Sequence, residues 1–388
     1  MQPEPRPAPI GCVTAIIPTY NRAALLAEAI ESILAQGVTM ERVIVCDDGS
    51  SDDTGETARS FGPRVSYLYQ ANSGKSAAVN NALAHCNTPY VWLCDDDDIA
   101  CPGALERLVV ALETTADAGM AYGNAASFRD TPQGRLLKPM PWLSRTSGDL
   151  FHRNLLTNRF LLQACLFRRS RLAEIGPFDP ALLRSQDWDF ALRALERLRA
   201  LHVDVEVFHV REHEGLRGPE KDRFEASERR DKWDAYNRLV VANSLTEIEV
   251  KRFALVPIAA GPNRVAASGH LVRFAFACRK GVWDAGFLEL DAFVEHANDL
   301  PDFALDPAER EFLGGLFAAG SAMTRADAPL ADTIARFAAV RHGSARSALL
   351  KPVRRLLAGQ ALRHIRHRRW AGTLGALRLF KRTLAQLA

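Results

Sequence analysis

Pro89-Tyr90-Val91-Trp92-Leu93-Cys94-Asp95-Asp96-Asp97-Asp98 runs from apolar side chains straight into four consecutive carboxylates. The apolar part, residues 90–94, is continuous rather than alternating, the pattern of a short strand buried on both faces. Four adjacent acids repel one another and are costly to bury. Two readings stand at this point. One is a solvated acidic turn. The other is a divalent-metal platform at the carboxyl end of a parallel strand, where open α/β sheets bind their ligands.

Upstream, three more apolar runs read as strands: residues 13–17, 42–46 and 65–69. Each ends in polar residues: Pro18-Thr19-Tyr20-Asn21-Arg22, then Asp47-Asp48-Gly49-Ser50, then Gln70-Ala71-Asn72-Ser73-Gly74-Lys75. Helical patterns separate them at 23–36, from 53 or 54 onward, and at 76–85. Asn21 is placed to cap the first helix and Gly37 to stop it. Strand and helix alternating over short connections predict a parallel sheet with right-handed crossovers. Its strand ends converge on one edge, so Tyr20, Asp48, Lys75, Asp95 and Asp97 could share a crevice. No GxGxxG follows the first strand, which argues against a dehydrogenase-type dinucleotide fold. The Ser-Gly-Lys-Ser turn at 73–76 lacks the spacing of an ATPase P-loop.

Downstream, Pro102 sits in the first turn of a further helix. Residues 120–123, 163–169 and 203–208 read as strands, and 129–150 as an irregular segment rich in Pro, Gly and Ser. Ser185-Gln186-Asp187-Trp188-Asp189 opens a helix at 190–198, and its acids suit either helix capping or a site. From residue 224 onward the chain reads helical, broken near Pro257, Gly261-Pro262, Pro301 and Pro307.

The 388 residues, 47% hydrophobic and 24% charged, have the composition of a globular protein, for which disorder is not the default. No run of about 18 apolar residues marks a membrane span. The proline-rich residues 1–10 lack a signal-like apolar segment and read as a loose tail. Seven scattered cysteines, with no CxxC pair, point to reduced buried thiols rather than disulfides or zinc. The net charge of +3 hides an asymmetry: residues 341–388 hold twelve Arg and Lys and no acid. The first 340 residues then carry 37 basic against 46 acidic side chains, −9. A basic amphipathic end on an acidic body suggests an anionic membrane surface, while no nucleic-acid module is present.

With the motifs in order, roughly the first 215 residues resemble family 2 glycosyltransferases of the GT-A type. The match is carried by Ala15-Ile16-Ile17-Pro18-Thr19-Tyr20-Asn21-Arg22, Val43-Ile44-Val45-Cys46-Asp47-Asp48-Gly49-Ser50, Val91-Trp92-Leu93-Cys94-Asp95-Asp96-Asp97-Asp98 and Gln186-Asp187-Trp188-Asp189. The resemblance implies a GT-A, Rossmann-like, mostly parallel sheet over residues 11–222. A helical accessory region at 223–340 and the basic segment at 341–388 would follow. It implies an inverting transferase that moves a sugar from a nucleoside-diphosphate donor (UDP first, then dTDP or GDP) to a glycan or lipid-linked hydroxyl. That protein would serve surface polysaccharide or glycolipid synthesis, in the cytoplasm or at the membrane's cytoplasmic face. A nucleotide-sugar-binding subunit without catalysis is the alternative.

The resemblance also implies roles. Pro18, Thr19, Tyr20, Arg22, Asp48, Lys75, Asp95 and Asp96 would contact the nucleotide. Asp97 would bind Mn2+ or Mg2+, with His213 as a further metal or diphosphate contact. Asp187 would be the catalytic base, and Gln186, Trp188 and Arg211 would serve the acceptor side or support the site. Strand alternation directs Asp96 away from Asp95 and Asp97. Gln186 stands where the family often has Glu, and Val79 where many members have Arg, a charge Lys75 could supply. The processive Gln-x-x-Arg-Trp element is absent.

Overall fold

Strand and helix alternate through the first part of the chain in the computed structural model. In chain order they are β1 (Val13–Thr19), α1 (Ala23–Leu34), β2 (Met40–Asp47), α2 (Thr54–Ser60), β3 (Val65–Tyr69), α3 (Lys75–Ala84), β4 (Tyr90–Leu93), β5 (Ile99–Ala100) and α4 (Ala104–Glu113). Then come β6 (Ala118–Thr131), β7 (Gly134–Pro139), α5 (Leu150–Leu156), β8 (Cys165–Arg168), α6 (Leu172–Ile175), α7 (Gln186–Arg197) and β9 (Arg199–Arg211). The remainder is helical: α8 (Arg229–Glu247), α9 (Val250–Phe253), α10 (Pro262–Arg279), α11 (Trp283–Asn298), α12 (Pro307–Leu316), α13 (Leu330–Ala338) and α14 (Gly343–Arg366). Residues 11–37, 40–140, 149–156, 158, 160–212, 229–318, 321–324, 329–366, 378, 379, 381 and 385 are described. The chain divides into two compact units, residues 1–236 and 237–388.

One sheet organises the first unit, in the order β3-β2-β1-β4-β8-β6-β9-β5, with β7 hydrogen-bonded to β6. β1 pairs in parallel with both β2 and β4, and β2 with β3. All seven residues of β1 and all four of β4 are buried, as their unbroken apolar runs require. The parallel pattern stops at β8, which runs antiparallel to β4 and to β6. Trp92 of β4 anchors the core: it is fully buried, its ring meets Phe208 edge-on at 5.1 Å, and its Nε1 donates to Gln163 O at 2.9 Å. Burying such a side chain is worth on the order of 3 kcal/mol.

Three local expectations need correction. Residues 129–139 are not irregular: β6 extends to Thr131 and pairs with β7 as an antiparallel hairpin. Pro132 and Gly134, read as loop formers, shape its tight turn, where the Thr131 hydroxyl donates to Gly134 O at 2.7 Å. Asn21 does not cap α1, whose N-cap position is Arg22. The Asn21 backbone is left-handed, with φ 51°. Its Oδ1 instead accepts from Ser51 N at 2.8 Å. Finally, from residue 349 to 357 the apolar face of α14 is spent within the second unit: Leu349, Leu350, Val353 and Leu357 are all buried, while Lys351 and Arg355 face solvent. Over this part of the basic segment no apolar stripe is left for a membrane. The run 367–370 and the tail 1–10 lie outside the described residues.

The second unit is an α-helical bundle around Phe253, Phe274, Phe276, Phe293, Leu313 and Phe337. Glu309 locks one corner. It closes a capping box with Asp306 at the start of α12, and both its oxygens accept from Arg264 at 2.7 Å. No helix among the described residues is long and apolar enough to cross a membrane.

Candidate active site

The carboxyl ends of β1, β2 and β4 lie side by side, and backbone hydrogen bonds carry the ladder past each strand. Asp48 N donates to Thr19 O at 2.9 Å, Gln70 N to Asp47 O at 3.0 Å, and Cys94 N to Ile16 O at 2.9 Å. This edge receives most of the residues singled out in the sequence. Pro18 and Thr19 are buried in β1, Tyr20 is half-buried at its end, and the turn that follows is strained. Asn21 and Ser185 are the two non-glycine residues with positive φ among the described residues. Both flank site motifs, where such strain concentrates. Asn21 N donates to Ser50 Oγ at 2.8 Å and Arg22 N to Thr54 Oγ1 at 3.3 Å, so the β2–α2 loop fixes the direction in which Arg22 leaves the chain.

Asp48 is buried and organises the loop ahead of α3. Its Oδ1 accepts from Gln70 Nε2 and Ser73 N, and its Oδ2 from Gly74 N, each at 2.8 Å. A carboxylate has about four acceptor positions, so roughly one is left for a ligand. Gly49, with φ 92°, lets this turn form: a Cβ there would lie 2.9 Å from Asn72 N. The loop delivers Lys75 to the first residue of α3, where its ammonium pairs with Asp95.

The four acids divide three to one. Asp95, Asp97 and Asp98 gather their oxygens within 4.8 Å of one another. Asp96 turns to Arg22, 3.2 Å away, and the same guanidinium pairs with Asp97. Burial first, then Asp97 and Asp95 against the opposing pull of Arg22, pushes Asp96 up to about 6. Asp98 is almost fully buried and is held from two sides, by Gln163 Nε2 at 2.9 Å and by Arg211 N at 2.9 Å. Burial, then Asp95 and Asp97, drives its pKa well above the ordinary carboxylate range. Hard oxygen donors grouped at this spacing fit Mg2+ or Mn2+.

Arg211 braces the acidic loop. Besides its backbone bond to Asp98, its Nε donates to Asp97 O at 3.0 Å. The rest of its guanidinium pairs with Glu28 and Asp130 and lies over the Phe128 ring at 4.5 Å. It supports the site from behind.

Asp187 lies in the first turn of α7. Its Oδ2 accepts from Asn158 Nδ2 at 2.9 Å. Burial pushes its pKa up, Lys75 pulls it down, and Asp95 raises it further. Lys75 in turn is raised, against the effect of burial, by Asp95, Asp96 and Asp187. The helix start is anchored by Asp189, whose Oδ2 accepts from Arg193 at 2.6 Å and 3.1 Å. Trp188 is 1% exposed and its Nε1 donates to Asn154 O at 2.8 Å, so it packs beneath the site and offers no face to an acceptor. Gln186 Oε1 is enclosed without a hydrogen-bond partner among the described residues. His213 lies outside the described residues. The sequence reading missed Asn158 and Gln163, which come from segments with no periodic signal.

The profile of Glycosyl transferase family 2 matches residues 14–176. An uncharacterized glycosyltransferase of Bacillus subtilis, YwdF, is 30% identical over 192 residues, 49% of this chain and 70% of that protein. The succinoglycan biosynthesis protein ExoU of Rhizobium meliloti is 30% identical over 199 residues, 47% of this chain and 56% of its own length. In five further relatives the aligned part spans 21–62% of their length. Among solved structures, S. aureus TarS 1–349 in complex with UDP-GlcNAc superposes with a TM-score of 0.52 at 16% identity, covering 91% of both chains, a likeness of fold. With a matching profile and a 30% identical relative covered over 70% of its length, this chain belongs to glycosyltransferase family 2.

Proposed function

We propose that the protein transfers a sugar from a nucleoside-diphosphate donor to a hydroxyl group in a single displacement, with inversion at the anomeric carbon. The observation that carries this is Lys75: it pairs with Asp95 of the acidic cluster while its charge acts on Asp187. One cation thus links a diphosphate-and-metal platform to a carboxylate with a raised pKa, the two parts such a transfer needs.

In this reading Asp187 takes the proton of the acceptor hydroxyl as its oxygen attacks the anomeric carbon. The bond from that carbon to the phosphate oxygen breaks, and the electron pair leaves with the nucleoside diphosphate. A general base of this kind contributes about 10²–10⁴-fold. Asn158 orients the Asp187 carboxylate. Asp95, Asp97 and Asp98 would hold Mn2+ or Mg2+, which would supply neutralisation of the diphosphate charge. Pro18, Thr19 and Tyr20 border the base, and the remaining acceptor position of Asp48 takes a base N–H. Arg22 and Lys75 exchange their carboxylate partners for phosphate oxygens. The UDP-GlcNAc complex of TarS makes UDP the first nucleotide to test. ExoU, with its named part in succinoglycan synthesis, makes a polysaccharide intermediate, free or lipid-linked, the first acceptor.

The test is a panel of UDP-, dTDP- and GDP-sugars in thermal unfolding, with Mn2+ and with EDTA. A ligand bound by the native state alone raises apparent stability. One donor should stabilise the protein in Mn2+ and much less in EDTA, and should be turned over. Stabilisation without hydrolysis or transfer would favour the non-catalytic binding subunit, and no stabilisation by any donor would overturn the proposal.

A further inference from the structure

A second group of metal-binding side chains lies on the same sheet, outside the acidic cluster. Cys101 Sγ, a Glu206 oxygen and a His209 ring nitrogen lie within 4.8 Å of one another. We propose that these three residues bind one zinc-class divalent ion that pins β5 to β9.

The backbone brings them together. In a regular strand Glu206 and His209, three residues apart, would face opposite ways. Here β9 carries an extra residue: Asn124 pairs with Glu206 and Ala125 already with Phe208, so Val207 is a bulge. The bulge turns Glu206 and His209 to one side, and His209 Nε2 meets Glu206 Oε1 at 2.6 Å. β5 runs antiparallel to β9 with Ile99 opposite His209, which places Cys101, two residues on, over the bulge. Cys101 is held rigidly: its N donates to Val207 O at 2.8 Å and its O accepts from Gln36 Nε2 at 3.0 Å.

The donor set chooses the ion. One sulfur, one imidazole nitrogen and one carboxylate suit borderline Zn2+ and not Mg2+, which wants oxygen throughout. Tetrahedral zinc spaces its ligand atoms about 3.5 Å apart, so small side-chain rotations close the site. Three protein ligands leave a fourth position for water, and exposed Glu206 opens the path to solvent. Asp98 precedes Cys101 by three residues, Arg211 follows His209 by two, and these outer residues are hydrogen-bonded to each other. The ion would therefore brace the strand pair that presents the acidic cluster. No sequence spacing announces the site, because its cysteine and histidine are about a hundred residues apart.

The full chain, freed of any histidine tag and stripped with chelator, is titrated with Zn2+ against a chromophoric competitor. It is also loaded with Co2+ for absorption spectra. One tight equivalent of zinc should bind, weakened about 10-fold or more in Cys101→Ser and in His209→Ala. The Asp95→Asn/Asp97→Asn variant should retain it. Co2+ in the wild-type protein should show a thiolate-to-cobalt charge-transfer band. The assignment is overturned if the wild-type protein gives no such band, if Cys101→Ser binds zinc as tightly as wild type, or if the equivalent disappears with Asp95 and Asp97 instead. The cobalt band is read on unmodified protein, so poor folding of a variant does not blur the outcome.

Discussion

Replacing Arg193 by Met isolates the buried ion pair that holds the start of α7. The Asp189 and Arg193 side chains are 7% and 10% exposed, and Arg193 also donates to Ile175 O at 2.6 Å. Met keeps most of the aliphatic stem and removes the charge. Breaking one side of a buried pair costs about 3–5 kcal/mol, because the remaining carboxylate is left desolvated. For a unit of this size each kcal/mol lowers the midpoint by about 2–4 °C, so the transition should fall by about 6–20 °C. Differential scanning calorimetry, with near-ultraviolet circular dichroism to follow buried Trp188, reads this directly. The pH dependence separates a charge effect from a packing effect. Burial already raises Asp189 above 3.8, and losing Arg193 raises it further. A raised folded pKa gives stability that is complete below the unfolded value and lost as pH rises through the folded one. The deficit should therefore be large at pH 7 and shrink toward pH 4. Asp189→Leu/Arg193→Met should return to within about 2 kcal/mol of wild type. A deficit below about 1 kcal/mol, or one independent of pH, would refute the reasoning.

Other outcomes follow from the same geometry. Burial raises Cys12, Cys46 and Cys86 to about 11, so these stay protonated at pH 8; the three should react with a disulfide reagent only after denaturation, and their fast reaction in the native protein would contradict the packing. Lys75 lowers Asp187, and the base works deprotonated; Lys75→Met should therefore move the acid limb of the kcat/KM profile to higher pH, while an unmoved limb would separate Lys75 from the base. Asp48→Ala strips the partner from three donors, two of them backbone N–H groups; urea unfolding should show a loss of about 1–3 kcal/mol and donor affinity should fall with it.

The fold was legible wherever apolar runs were continuous. β1, β4 and residues 43–47 of β2 are buried on both faces, and residues of that kind carry their strand assignment in composition alone. The acidic edge was legible because parallel strands bring their ends together whatever lies between. What stayed hidden depends on contacts far apart in sequence. Gln163 and Asn158 reach Asp98 and Asp187 from segments without periodicity. Asp48 reads as a base contact in the motif, yet most of its hydrogen-bonding capacity goes to its own loop. Proline and glycine after β6 signalled a turn, and only pairing with β7 tells a hairpin from a loop. The basic end looked amphipathic, and packing alone tells that Leu349, Leu350 and Leu357 of α14 turn into the second unit. Strand alternation turns Asp96 away from Asp95 and Asp97, but it takes the long-range bonds from Gln163 and Arg211 to hold Asp98 in the cluster.

The most direct test of the central claim is turnover of the stabilising donor sugar by Asp187→Asn, measured as nucleoside-diphosphate release in saturating acceptor beside the donor dissociation constant. The amide keeps the size and the contact to Asn158 but cannot take a proton. Turnover should fall about 10²–10⁴-fold with donor affinity within a few-fold of wild type. Turnover within a few-fold of wild type would contradict the assignment of Asp187 as the base.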